Sequence, residues 1–145
     1  MNAARFTVNA FAAAVIATAS IFGVPAQTAF ARTVDIEVIV NNVPITNDDI
    51  AKRKALLRLM GTKGATDAKA REAMIDQALK QSEIAFRGAS VTQTEVDDAF
   101  QNFANGNNMS VAQMSSILNQ AGVGVEHFKF FIAVSMSWGQ LLRAR

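Results

Sequence analysis

The sequence feature that most restricts the fold of this chain is a series of helix start and stop signals that begins after residue 45. A Ser or Thr followed three residues later by an acidic or amide residue is typical of a helix start, because the two side chains satisfy free backbone N–H groups. Three such pairs occur, at Thr46 and Asp49, Thr92 and Glu95, and Ser110 and Gln113. Three glycines suited to a left-handed helix end follow, at Gly61, Gly88 and Gly122. The chain is therefore predicted to be mainly helical.

These signals predict five helices. The first covers residues 47–60, the second runs from Thr66 or Asp67 to Arg87, and the third starts after Thr92 and fades in residues 105–108. The fourth starts after Ser110 and stops at Gly122, and the fifth starts at Gly124 and reaches the last residues. Gly124 is a weak start, because it has no side-chain oxygen to cap the helix.

Apolar residues at steps of three and four predict the buried faces of these helices. In the first helix the predicted face contains Ile50, Leu57 and Met60 with Lys54, and it is widened by Leu56 and Leu59. In the second helix the predicted stripe consists of Met74, Ile75, Ala78, Leu79, Ser82 and Phe86. On the solvent-exposed face of the second helix, ion pairs are predicted between Asp67 and Arg71 and between Asp76 and Lys80.

A short β-hairpin is predicted before the helices. Residues 34–40 alternate, which predicts a half-buried strand with Val34, Ile36, Val38 and Val40 on one face. Asn41 and Asn42 tolerate the positive φ of a two-residue turn, and Pro44 confines the second strand to an edge. The predicted fold class is thus mainly α, with a short N-terminal β-hairpin followed by about five helices.

The first 31 residues are typical of a cleaved export signal. Arg5 precedes an uncharged, apolar stretch at residues 8–24, and Ala29-Phe30-Ala31 fits the small-x-small pattern of a cleavage site. The alternative is an uncleaved anchor, but a bilayer span needs about 20 mostly apolar residues. We therefore expect a signal peptide at residues 1–31, a single domain at residues 32–145, no stable membrane anchor after cleavage, and a periplasmic location.

Several classes of function have no support in the sequence. Residues 32–145 carry 13 basic and 12 acidic residues, because only Arg5 of the 14 is lost, and this balance does not favour a nucleic-acid partner. Residues 61–64 contain a Gly-Lys pair but lack the order of a phosphate-binding loop, so no nucleotide or other cofactor is predicted. There is no cysteine, so no disulfide stabilises the domain.

Catalytic and metal-binding residues are not predicted either. The only histidine, His127, is expected at the surface in the first turn of the last helix. The close acidic pairs, Asp48-Asp49 and Asp97-Asp98, are expected in first turns of helices, where the helix dipole stabilises negative charge. Neither a catalytic set nor a metal centre follows from these residues.

The remaining chemical feature is an excess of adaptable apolar side chains. Residues 32–145 contain Met60, Met74, Met109, Met114 and Met136, together with Trp138 and six phenylalanines. Flexible, polarisable methionines allow one surface to fit many partners. The competing interpretation is plain core packing, which is common for an apolar stripe at helical spacing.

Taken in order, several segments of the chain resemble the N-terminal domain of SurA-type periplasmic chaperones, which carry parvulin-type peptidyl-prolyl isomerase domains downstream. The resemblance covers nearly all of residues 32–145. It rests on VNNVPITNDDIAKRKALL at 40–57, LMGTKGA at 59–65, AMIDQALKQSEIAFRG at 73–88, VTQTEVDDAF at 91–100 and SWGQLLRAR at 137–145.

The resemblance implies an ATP-independent helical domain that binds aromatic-rich segments of unfolded outer-membrane proteins. Candidate peptide-contact residues are Met60, Met74, Met114, Met136 and Trp138. The chain stops about where the family's first isomerase domain would begin, so it is not expected to be an enzyme. The alternatives are a short or truncated peptidyl-prolyl isomerase and a self-associating structural module.

The family's N-terminal domain is also completed by a segment from the far C-terminus, which this sequence lacks. Some apolar surface on the hairpin or the last helix is therefore expected to be uncovered. Three arrangements fit this expectation: a gene fragment, a homodimer, or a partner that supplies the missing segment.

Overall fold

A computed structural model describes residues 33–144. The predicted export signal at residues 1–31 lies outside them. The described elements are β1 (Ile36–Val40), β2 (Val43–Thr46), α1 (Asn47–Leu59), α2 (Asp67–Arg87), α3 (Gln93–Gly106), α4 (Val111–Gln120) and α5 (Val125–Arg143). The predicted fold class, a short hairpin followed by five helices, is confirmed.

Strands β1 and β2 form an antiparallel two-stranded sheet. Its turn residues Asn41 and Asn42 have φ of 47° and 66°, as expected for a tight hairpin turn. Val38 packs against the core, whereas Val34 and Ile36 are exposed, so the prediction of one continuous half-buried face is wrong for these two residues. The register shifts between Ile36 and Val38, and this irregularity separates the outer end of β1 from the packed part of the sheet.

The predicted helix starts form as expected. In α1 the Thr46 hydroxyl accepts from the Asp49 N–H at 3.1 Å, and the Asp49 carboxylate accepts from the Thr46 N–H at 2.9 Å. The same reciprocal pairs cap α3 and α4. Gly124 precedes α5 without a side-chain cap, as its lack of a side chain requires. Local hydrogen bonding therefore accounts for where most of the helices begin.

Two apolar clusters form the core on either side of α1. One joins the hairpin to α1 and α2 and consists of Ile45, Ile50, Ala70, Met74 and Ala78. The other joins α1 to α3, α4 and α5 and consists of Leu56, Phe100, Ala104, Met114, Leu118, Val123 and Phe128. Helix α1 contributes to both clusters, and α5 packs against all four other helices. No helix within residues 33–144 combines the length and the apolar character needed to cross a bilayer.

The buried faces differ from the predicted ones at several positions. In α2 the buried side includes Gln77, whereas Leu79 is half exposed and Phe86 is 85 % exposed, so the predicted stripe is wrong at these two residues. In α1 the basic residue on the buried face is Arg53, whereas Lys54 pairs with Asp67. The predicted face of α1 is also wrong at Leu59 and Met60, which are 45 % and 60 % exposed. Packing against α1 and α5 selects faces that apolar spacing alone did not identify.

The predicted charges also find different partners. Asp76 pairs with Lys80 at 2.6 Å as expected. Arg71, predicted to pair with Asp67, instead pairs with Glu37 of β1, because the fold brings the hairpin beside α2. The Asp97-Asp98 pair lies in the second turn of α3, one turn later than expected, since the first turn begins at Gln93.

Candidate functional site

Helices α1, α2 and α5 surround a groove of about 320 Å³, named here the α1–α2–α5 groove. Its walls are mainly apolar, its charged residues come from α1 and α2, and α5 adds the polar Ser135. The lining residues are Arg53, Leu57, Met60, Ala73, Asp76, Gln77, Lys80, Phe131, Val134, Ser135 and Trp138. An apolar cleft with a few fixed polar groups is the usual form of a ligand-binding site.

Arg53 is the most unusual residue of this groove, because its side chain is only 3 % exposed. The Arg53 Nε donates to the Met74 sulfur at 3.3 Å, and a terminal guanidinium nitrogen donates to the Gln77 Oε1. The centre of the guanidinium lies 4.9 Å from the centroid of the Phe131 ring, within the range of a cation–π contact. Neighbours on α2 and α5 therefore fix the position of the buried cation.

Within residues 33–144, no carboxylate forms a salt bridge with Arg53. Asp76 lines the same groove, but its carboxylate is bound to the Lys80 Nζ. Burial lowers the pKa of Arg53 to about 10, and the negative charge of Asp76 opposes part of that change. Arg53 is therefore still a cation at neutral pH, one that is removed from water and, among the described residues, has no carboxylate in direct contact.

Gln77 is the second buried polar residue of the groove, at 4 % exposed. Its Oε1 accepts from Arg53, while its Nε2 has no hydrogen-bond partner among the described residues. Buried polar side-chain atoms in folded proteins are usually hydrogen-bonded. This part of the core thus contains more donors than acceptors.

Gln77 also lines a neighbouring cavity of about 220 Å³ together with His127. The expectation of a surface histidine is wrong, because the His127 ring is half-buried and its Nε2 is buried without a partner in residues 33–144. Burial, followed by the positive charge of Arg53, lowers the pKa of His127 to about 4. His127 is therefore neutral at pH 7 and adds no positive charge beside Arg53.

Trp138 and Met60 lie at the rim of the α1–α2–α5 groove. The Trp138 ring is half-buried, with the Lys80 Nζ 5.9 Å from its centroid. Met60 follows the end of α1 and is 60 % exposed. Both present apolar surface to a ligand that enters from solvent.

Met60 also lines a second pocket, named here the α1–α3–α4 pocket, of about 220 Å³. Leu59 and Phe103 in this pocket are each 45 % exposed. The other lining residues are Leu56, Asn107, Met109, Met114, Ile117, Leu118 and Phe128. Since Met60 belongs to both sites, the groove and the pocket form one apolar stretch around the C-terminal end of α1.

The structure places the five predicted contact residues differently from one another. Met60 and Trp138 line the α1–α2–α5 groove, and Met74 lies beneath it, buried against Arg53. Met114 is buried in the wall of the α1–α3–α4 pocket, and Met136 is half-buried and lines neither site.

Arg53 and Gln77 were missed as candidate site residues. Arg53 follows Ile50 by three positions and precedes Leu57 by four, so helical spacing could have placed it on the buried face. Gln77 follows Met74 by three positions and has the same signal. Among residues 33–144, no group of three or more His, Asp or Glu side chains is placed to hold a metal ion.

No protein-family model, curated protein or solved structure matches this chain.

Proposed function

We propose that the domain binds extended segments of unfolded polypeptide as an ATP-independent chaperone of the bacterial periplasm, with aromatic-rich outer-membrane proteins as clients. The observation that carries this proposal is the apolar stretch in which the α1–α2–α5 groove and the α1–α3–α4 pocket meet at Met60. An extended chain can lie across both sites at once and place successive side chains in each. A large exposed apolar patch on a folded protein is typical of such an interaction surface.

The side chains of this stretch fit a ligand that varies in sequence. Met60 is flexible and largely exposed, and Leu59 and Phe103 are partly exposed beside it. Burying one aromatic or aliphatic client side chain contributes about 1.5–3 kcal/mol. A few such contacts, less the ordering of the client, correspond to an affinity near the micromolar range. Binding of that strength permits release without an energy source.

The test uses the single tryptophan of the chain, Trp138, as a probe inside the groove. Titration with a tryptophan-free peptide rich in phenylalanine should shift the Trp138 emission to shorter wavelength, because the ring loses water on binding. In parallel, the purified protein should delay the aggregation of a denatured outer-membrane β-barrel protein, measured by light scattering. No emission change together with no delay would overturn the proposal.

Two exposed residues provide a matched pair of variants. Met60→Gln keeps the length of the side chain but replaces the sulfur by an amide, and it should weaken peptide binding about fivefold or more. Phe86→Ser removes an apolar side chain that is 85 % exposed and lines neither site, so it should leave binding unchanged. A loss with Phe86→Ser but not with Met60→Gln would place the client elsewhere.

The same preparations test the two alternatives. Acceleration of prolyl isomerisation in a proline peptide would favour a short isomerase. Light scattering that reports a larger particle regardless of added client would favour a self-associating module. A chaperone predicts neither, and it predicts that any association responds to the client.

A further inference from the structure

The buried guanidinium of Arg53 has more hydrogen-bonding capacity than its neighbours use. A guanidinium carries five N–H donors. Within residues 33–144, it donates two hydrogen bonds, to the Met74 sulfur and to the Gln77 Oε1. Thioether sulfur is a weak acceptor, and an amide oxygen carries no formal charge. The strongest complement to this group, a carboxylate, is absent from its contacts.

Asp76 is the acidic residue that lines the groove, but it does not form a salt bridge with Arg53. Its carboxylate lines the groove but is bound to the Lys80 Nζ at 2.6 Å. With Arg53, Lys80 and Asp76 together, the groove has one uncompensated positive charge. Gln77 adds a buried Nε2 without a partner among the described residues. The groove therefore complements a ligand that is apolar along its length and negative at the point that reaches Arg53.

We propose that the α1–α2–α5 groove binds a glutamate side chain of an extended polypeptide segment, with its carboxylate accepting hydrogen bonds from the Arg53 guanidinium. This proposal rests on the polypeptide-binding function above and specifies what the groove recognises. The apolar methylenes of the glutamate lie between Trp138 and Phe131, which are both lining residues.

The deep burial of Arg53 favours glutamate over the other acidic groups of a polypeptide. Arg53 is only 3 % exposed, so a ligand backbone that crosses the helices cannot reach it, and the carboxylate must extend inward from that backbone. Glutamate reaches one methylene further than aspartate. A chain terminus would have to enter the groove end-on, which would prevent the segment from continuing into the α1–α3–α4 pocket through Met60.

The geometry favours a large discrimination between a charged and a neutral ligand group. Arg53 is held between Phe131 and Gln77, so its side chain loses little conformational entropy when a ligand binds. Carboxylates often bind guanidinium groups through two parallel hydrogen bonds. Hydrogen bonds to charged groups contribute more than neutral ones, which corresponds to about tenfold or more in affinity.

The test compares four short phenylalanine-containing peptides that are identical except at the central residue and the terminus. Three have blocked termini and carry Glu, Asp or Gln at the centre, and the fourth carries Gln with a free terminal carboxylate. Binding is measured by the Trp138 emission. We expect the Glu peptide to bind about tenfold more tightly than the Gln peptide, with Asp between them and no gain from the free terminus.

Two arginine variants on α1 then test whether Arg53 causes the preference for the Glu peptide over the Gln peptide. Arg53→Met keeps the apolar stem and should make the affinities for the Glu and Gln peptides equal. Arg58→Met removes an exposed cation from the same helix and should preserve the ratio. Thermal unfolding monitored by circular dichroism checks that both variants are folded.

The outcomes separate this proposal from the function on which it rests. Equal affinity for the Glu and Gln peptides, or a ratio that survives Arg53→Met, overturns the glutamate site while peptide binding stands. If the Gln peptide with a free terminus binds as tightly as the blocked Glu peptide, the carboxylate comes from a chain end and the assignment to glutamate is wrong. Failure of all four peptides to bind overturns both proposals.

Discussion

The buried contact between Arg53 and Gln77 leads to a stability prediction that is independent of any ligand. The pKa of Arg53 is lowered to about 10 by burial, more than two pKa units below that of a free arginine. At about 1.4 kcal/mol per unit, the charged guanidinium lowers the free energy of unfolding by about 3 kcal/mol at neutral pH. The sign follows from linkage, because the unfolded chain holds this proton more tightly than the folded protein does, and stability returns only above pH 10.

Three variants show how much of this loss in the free energy of unfolding comes from the Arg53 charge and how the Gln77 Oε1 offsets it. Arg53→Met removes the charge but leaves the Gln77 Oε1 without its donor, a loss of about 1–3 kcal/mol, so the net change should be near zero. Gln77→Met leaves the charge without its amide acceptor and should lower the free energy of unfolding by about 3 kcal/mol. The double variant replaces both polar groups by apolar chains and should raise it by about 1–4 kcal/mol above the original protein.

The free energies are measured by urea unfolding at pH 7, followed through Trp138 emission and far-ultraviolet circular dichroism. A change of 1 kcal/mol corresponds to about 4 °C in Tm for a domain of this size. Arg58→Met, on the exposed side of α1, should change the free energy by less than about 0.5 kcal/mol. A double variant less stable than the original protein would refute the conclusion that burying this pair is unfavourable, as would strictly additive single changes.

Two further predictions concern the rest of the domain. The folded state holds the pKa of His127 near 4, so lowering the pH from 7 to 4.5 should reduce the free energy of unfolding by about 2 kcal/mol, as protonation favours the unfolded chain. His127→Gln should flatten this slope in urea titrations at successive pH values, and an unchanged slope would contradict the assignment. Gly88 ends α2 with φ of 62°, so Gly88→Ala should lower the free energy of unfolding by about 1 kcal/mol. The control, Gly106→Ala, lies in α3 without positive φ and should raise it by about 0.5 kcal/mol. Equal losses at both glycines in urea unfolding would contradict the backbone explanation.

The elements of this fold could be predicted because their signals are local. The capping pair at Thr46 and Asp49 involves side chains three residues apart, and the Asn41-Asn42 turn is set by the φ angles those residues tolerate. The predicted end of α2 at Arg87, before Gly88, is the observed one for the same reason. Such signals require no knowledge of which helices become neighbours.

The faces could not all be predicted, because several faces of one helix are apolar enough to be buried. In α2, Leu79 and Phe86 continue an apolar spacing but remain exposed, while the polar Gln77 is buried. Gln77 is buried because its amide meets Arg53 of α1, a partner 24 residues away in sequence. A polar residue at an apolar position was the available signal, and it becomes informative only when the partner on the facing helix is considered with it.

Stability and binding place opposite demands on the same guanidinium. In the free protein Arg53 is already removed from water, so an incoming carboxylate does not have to desolvate it, and only the ligand group is dehydrated on binding. The burial of Arg53 against neutral hydrogen-bond partners is thus the physical basis of the proposed preference for an acidic ligand, and the lowered pKa of Arg53 agrees with it. A glutamate bound there would supply the missing counter-charge and raise the pKa of Arg53 towards its ordinary value. The Glu peptide should therefore stabilise the protein against unfolding more than the Gln peptide does, and this difference should disappear in Arg53→Met, where neither the cost nor the attraction exists.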